Sequence, residues 1–142
     1  LESLTDAITY AGSADAEAIR AQENFTIENE LNGGEVFDFY DTELQVRAIS
    51  VPGHTPGSIV YSVQTTWEDG SPATLLFTGD ALFPGGVGKT DSPAQFGELF
   101  SNVLEKLFGN FDDEAIVLPG HGRSTTLGTE RPHLEEWGSR GW

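Results

Sequence analysis

Three short apolar runs in this chain end in glycine-bearing turns, and each turn carries a side chain suited to metal ligation. His54 lies in VPGHTPGS after residues 44–51, Asp80 in LLFTGDALF after 73–78, and His121 in IVLPGHG after 115–118. Runs of this composition read as β-strands. Strands that end at Gly-rich turns can bring the turn residues to one pocket while the backbone bends closely around them. Two imidazoles and a carboxylate suit Zn²⁺, Fe²⁺ or Mn²⁺. A lone histidine is more often a hydrogen-bonded structural residue, but three strand-end positions of one kind point to a site.

The rest of the chain supports a sheet with helices. Residues 35–41 and 44–51 read as paired strands around Asp41-Thr42-Glu43, and 58–65 and 73–78 as a hairpin closed by TWEDGSP. Over residues 93–108, Phe96, Leu99, Phe100, Val103, Leu104, Leu107 and Phe108 fall on one helical face. Ser92 and Gln95 form a capping box, Pro93 suits the first helical position, and Gly109 is expected to be the left-handed stop. A last short helix is expected over 130–137, stopping at Gly138, and two more over 4–11 and 14–23, capped by Ser3 and Ser13. Strands first, then alternating helix and strand, give the α/β class. No repeat or long linker divides residues 1–142, so one domain is expected, with 1–33 an acidic, mostly helical segment.

Composition excludes several functions. Twenty-three acidic against seven basic side chains give a net charge of −16, which disfavours nucleic acid and anionic membranes as partners. The charge is uneven, with eleven acids and one base in residues 1–43. The absence of cysteine removes disulfides, a thiol nucleophile and thiolate metal sites. No apolar run is long enough to span a bilayer and no secretory signal pattern is present, so a cytoplasmic location is expected. The Asn24-Phe25-Thr26 sequon is therefore read as chance. Residues 85–90, GGVGKT, suggest a phosphate loop, but Phe83 stands where that motif needs glycine. His133 lies in or before the last helix, away from a strand end, and is expected to be structural or exposed.

Taken in order, GHTPGS, FTGDALF, GKTD and LPGHG resemble the second half of the metallo-β-lactamase fold superfamily, most closely its glyoxalase II-like branch, over residues 35–137. TTLGTE is similar to the small single-domain members of that branch. The resemblance implies an αββα sandwich of which this chain is the C-terminal half. It implies a hydrolase that attacks a thioester or ester with a metal-bound hydroxide, on two zinc ions when whole, with Fe²⁺ or Mn²⁺ as other candidates. His54 would complete the first metal site and His121 the second, while Asp80 bridges them as the catalytic carboxylate. Lys89 would face an anionic group of the substrate, and Asp91 would hold its loop.

The chain departs from the family in lacking the HxHxDH motif, which is expected N-terminal to residue 1. Three ligands are too few for a dinuclear site, so the chain alone is expected to be inactive. One sheet face would also lack its cover, so the expected partner is the missing N-terminal half or a second copy of the chain. The helical region with which glyoxalase II grips glutathione is also absent, so glutathione specificity is not implied. Two further readings are a persulfide dioxygenase-like enzyme using one non-heme iron, and a non-catalytic association module.

Overall fold

A computed structural model of the protein describes residues 7–23, 26–38 and 44–141. The chain opens with a small βαβ unit: β1 (Tyr10–Gly12), α1 (Ser13–Glu23) and β2 (Asn29–Leu31), with β1 and β2 paired in parallel. Then come β3 (Val36–Asp38), β4 (Gln45–Ser50), β5 (Ile59–Thr66), β6 (Pro72–Gly79), the short hairpin β7 (Leu82–Phe83) and β8 (Gly86–Val87), and α2 (Pro93–Val103). The chain ends with β9 (Ile116–Pro119), β10 (Thr125–Thr126), α3 (Leu127–Glu130) and α4 (Leu134–Arg140).

The main sheet runs β10-β9-β6-β5-β4-β3 and is antiparallel except where β9 lies parallel to β6. That parallel pair needs a crossover, which α2 supplies, so the helix covers one sheet face. Val60, Leu76 and Val117 of the sheet meet Leu99, Val103 and Leu107 there, all fully buried. Each such side chain contributes about 1.5–3 kcal/mol through the water it no longer contacts.

The other face is also apolar. Register places Val46, Val63, Leu75 and Ile116 in one row across the strands, and Ala48, Tyr61, Phe77 and Leu118 in the next. Among the described residues its cover is partial. Tyr10 of β1 meets Phe37 edge-on with ring centroids 4.9 Å apart, yet Phe77 remains 44% exposed. An apolar groove of about 890 Å³ runs between Ile8, Tyr10, Phe37, Val46 and Tyr61.

Several expectations need correction. Residues 10–12 are a strand, not the end of a helix over 4–11: alanine favours helix, but pairing with Asn29–Leu31 overrides that preference. Of the segment 1–33, the described residues 7–12 and 26–33 carry no helix, and residues 1–6 lie outside the described residues. The helix over 93–108 is present and its last five residues widen into a π turn, closed by Gly109 N–H donating to Leu104 O at 2.8 Å. Gly109 stays right-handed (φ −81°), because that wider bond already satisfies the terminal carbonyl. The last helical stretch begins earlier, at Leu127 after the Thr126 cap, and continues past Gly138 to the left-handed Gly141 (φ 74°). The turn at 41–43 and residues 24–25 of the sequon lie outside the described residues.

Candidate metal centre

Asp80 sits at the apex of the turn between β6 and β7. The buried Thr78 hydroxyl donates to Leu82 O at 2.8 Å and Ala81 N–H donates to Thr78 O at 2.9 Å, which closes the loop beneath the carboxylate. The neighbouring turn after β9 is tied to this one by Gly120 N–H donating to Gly79 O at 2.8 Å, so His121 arrives beside Asp80. His54 comes from the turn after β4. The end of the sheet therefore gathers all three side chains that the sequence singles out.

The geometry is divided between the two carboxylate oxygens. His54 Nε2 lies 3.5 Å from Asp80 Oδ2, and His121 Nε2 lies 3.8 Å from Asp80 Oδ1. Two donors each about 2.1 Å from one metal in tetrahedral geometry stand about 3.4 Å apart, so each His–Asp pair is spaced as half of a metal site. Among the described residues no three His, Cys, Asp or Glu side chains converge on one ion. The arrangement is two His–Asp pairs that share one carboxylate, with one imidazole facing each oxygen.

Local contacts orient both rings. His54 Nδ1 is 2.7 Å from Lys89 O. A carbonyl only accepts, so Nδ1 carries the proton, which leaves Nε2, on the Asp80 side, as the nitrogen a metal could take. The loop that brings Lys89 here depends on Gly88, where a Cβ would stand 1.7 Å from Asp80 O. His121 leans on the Phe83 ring, centroids 4.7 Å apart and tilted by 40°. Its side chain is 73% exposed against 29% for His54, so the centre is open on the His121 side. A cleft of about 320 Å³ extends from His54 and Asp80 past Thr55 to Asp15 and Tyr10.

The remaining candidates fall outside this cluster. Lys89 reaches His54 through its backbone, and its exposed side chain lines a separate pocket of about 340 Å³ with Phe83, Val87 and Arg140. In the GKTD loop it is the Asp91 backbone N–H that makes the contact, donating to Gln95 Oε1 at 3.0 Å. His133 lies 3.9 Å from Glu136 on the last helical stretch, away from the three strand-end residues, and is exposed. Sequence reasoning did not find Phe83, whose ring is one apolar residue among many, or the Lys89 carbonyl, which has no side-chain signature. It also missed Glu130 of TTLGTE. This residue is buried and accepts from Gly85 N–H at 2.9 Å and Thr125 Oγ1 at 2.6 Å, binding the β7–β8 hairpin to the strand after His121. Among the described residues no helix is long and apolar enough to cross a membrane.

No protein-family model matches the chain. Over 131 residues it is 32% identical to the hydroxyacylglutathione hydrolase GloC of Haemophilus influenzae, covering 92% of this chain and 55% of that protein. Over 97 residues it is 43% identical to an uncharacterized protein of Mycobacterium tuberculosis, covering 65% of this chain and 42% of the relative. The chain spans about half the length, or less, of the curated relatives it matches. Among solved structures, a metallo-β-lactamase from Staphylococcus aureus superposes with a TM-score of 0.68 at 23% identity, over 89% of this chain and 39% of that one. TTHA1623 in a di-iron-bound form superposes with a TM-score of 0.60 at 26% identity, over 91% of this chain and 64% of that one. ETHE1 from Myxococcus xanthus gives 0.60 at 24% identity, over 94% and 64%. With the sheet, the crossover helix and the three glycine-bearing turns in place, and with relatives of this kind in both sequence and structure, the chain carries part of the metallo-β-lactamase fold and is similar in sequence to proteins named hydroxyacylglutathione hydrolase and metallo-hydrolase.

Proposed function

We propose that this chain contributes His54, Asp80 and His121 to a two-metal hydrolytic centre that cleaves a thioester or ester. The observation that carries the reading is the division of Asp80, whose two oxygens each face the Nε2 of a different histidine. The similarity to a relative named hydroxyacylglutathione hydrolase supports the acyl substrate class. The similarity to a structure in a di-iron-bound form supports iron as well as zinc. When bound, such ions polarise a carbonyl and make water acidic enough to lose a proton near neutral pH. The chain's own residues hold the His54 ring in the ligating tautomer, place one carboxylate oxygen on each side, and leave the His121 side open to substrate.

Each half-site has two donors, whereas a catalytic zinc commonly takes three from protein. The donor shortage and the partly covered apolar face support one further reading: additional polypeptide, a second copy or a further segment, completes the site and covers that face. The 142 residues alone are then inactive. Elemental analysis together with thioester hydrolysis on the mass-verified chain tests this. The expected result is less than one metal per chain after dialysis and no turnover. Two metals per chain with turnover would overturn the inactive-alone reading, and iron with oxygen-dependent consumption of a persulfide would replace the hydrolase with a dioxygenase.

A further inference from the structure

Asp15 lies in the first turn of α1, far in sequence from any ligand, yet both of its carboxylate oxygens are used on the turn that carries His54. Thr55 Oγ1 donates to Asp15 Oδ2 at 2.5 Å and Gly57 N–H donates to Asp15 Oδ1 at 2.9 Å. Because the Thr55 proton points to Asp15, Ser58 Oγ donates to Thr55 Oγ1 at 2.8 Å, while Thr55 N–H donates to Ser58 Oγ at 3.2 Å. Gly53 N–H and Ser58 N–H both donate to Thr55 O. The carboxylate thus anchors a closed network that includes residues on both sides of His54.

The backbones also meet closely. A Cβ on Gly12 would stand 1.8 Å from Gly57 O, and one on Gly57 would stand 2.6 Å from Asp15 N. The β1–α1 junction is therefore seated directly on the turn with no side chain between them. A first-turn carboxylate can stabilise its own helix through the end dipole from any orientation. Here it is aimed instead at a hydroxyl and an amide 40 and 42 residues away. His54 is consequently held from two sides, its ring by Lys89 O and its turn by Asp15 through the Thr55 hydroxyl and the Gly57 N–H.

We infer that Asp15 is a positioning residue: through Thr55 and Gly57 it fixes the turn that aims His54 Nε2 at Asp80. This rests on the reading of His54 as a metal ligand. Charge-assisted bonds from both oxygens of one carboxylate define a direction as well as a distance. An amide in its place keeps an acceptor for Gly57 N–H but turns its NH2 toward Thr55 Oγ1, which must then reverse its hydroxyl, and the charge-assisted bonds are lost.

The test compares wild type with Asp15→Asn, Thr55→Val and Thr55→Ser in two measurements. Long-range ¹H–¹⁵N spectra of the metal-free chain report the histidine rings, and visible absorption during Co²⁺ titration reports affinity. In Asp15→Asn and Thr55→Val the His54 resonances are expected to shift while those of His133 stay in place. Co²⁺ affinity is expected to fall about 10- to 100-fold, the usual cost of losing an outer partner of a ligand. Thr55→Ser keeps the hydroxyl and is expected to behave as wild type. Should Asp15→Asn fail to fold by circular dichroism, the Thr55 pair decides alone. Unchanged His54 resonances in Thr55→Val, or equal displacement in Thr55→Ser, would overturn the role. A wild-type chain that takes up no Co²⁺ is what the donor shortage allows, and the metal-free spectra then decide alone whether Asp15 positions His54.

Discussion

His54 Nδ1 and the carbonyl oxygen of Lys89 are 2.7 Å apart, and that contact sets which nitrogen of His54 is available to a metal. The prediction has two parts. At pH 8 the His54 ring should appear as the Nδ1–H tautomer in ¹⁵N spectra. Lys89→Ala should leave Co²⁺ affinity within about twofold of wild type, because a carbonyl survives the substitution. If Lys89 also faces an anionic substrate, the same variant in the completed enzyme raises KM with kcat little changed.

The core predicts its own weak point. Leu99 is fully buried in α2, against the sheet face that carries Val60 and Leu76. Leu99→Ala should lower stability by about 2–5 kcal/mol in urea denaturation, the range for a core leucine cut to alanine. The backbone of Gly53, at the start of the His54 turn, approaches Leu99 closely. The His54 resonances should therefore move in this variant as well.

Glu35 offers a test by pH. Its side chain accepts from Asn32 N–H at 2.8 Å and Gly33 N–H at 2.9 Å, and these backbone bonds hold its carboxyl below the usual carboxylate range. A depressed pKa stabilises the fold above the unfolded value, and that contribution is lost as pH falls through the folded value. The amide shifts of Asn32 and Gly33 should titrate together with a midpoint below that of a free glutamate. Glu35→Gln should abolish the transition.

The partly covered sheet face predicts association. With Phe77 44% exposed beside Tyr61 and Leu118, the chain should sediment with a concentration-dependent mass above 15.3 kDa. Phe77→Asp should shift it toward monomer. A wild-type monomer at all concentrations would contradict the proposed second copy.

Much of this was legible in the sequence, for physical reasons. The α2 face was readable because its apolar spacing and the Ser92 cap agree, and Gln95 N–H does donate to Ser92 Oγ at 3.2 Å. The β5–β6 hairpin was readable from its Asp-Gly turn, where Asp69 Oδ1 accepts from Ser71 N–H. The clustering of His54, Asp80 and His121 was readable because each stands at a strand end beside glycine. β1 was not, since three residues of strand have no period and depend on a distant partner. The links that orient the rings were invisible too: Lys89 acts through its backbone, and Asp15 through a turn some 40 residues away.

Metal stoichiometry in Asp80→Asn tests the central claim most directly, read by equilibrium dialysis of the chain against Co²⁺ beside His54→Ala and His121→Ala. Because Asp80 spans both half-sites, its substitution should weaken all Co²⁺ binding more than about tenfold. Each histidine variant should instead remove one of two weak binding events. If Asp80→Asn binds Co²⁺ as wild type does, Asp80 is not shared between two metals and the proposed centre is wrong.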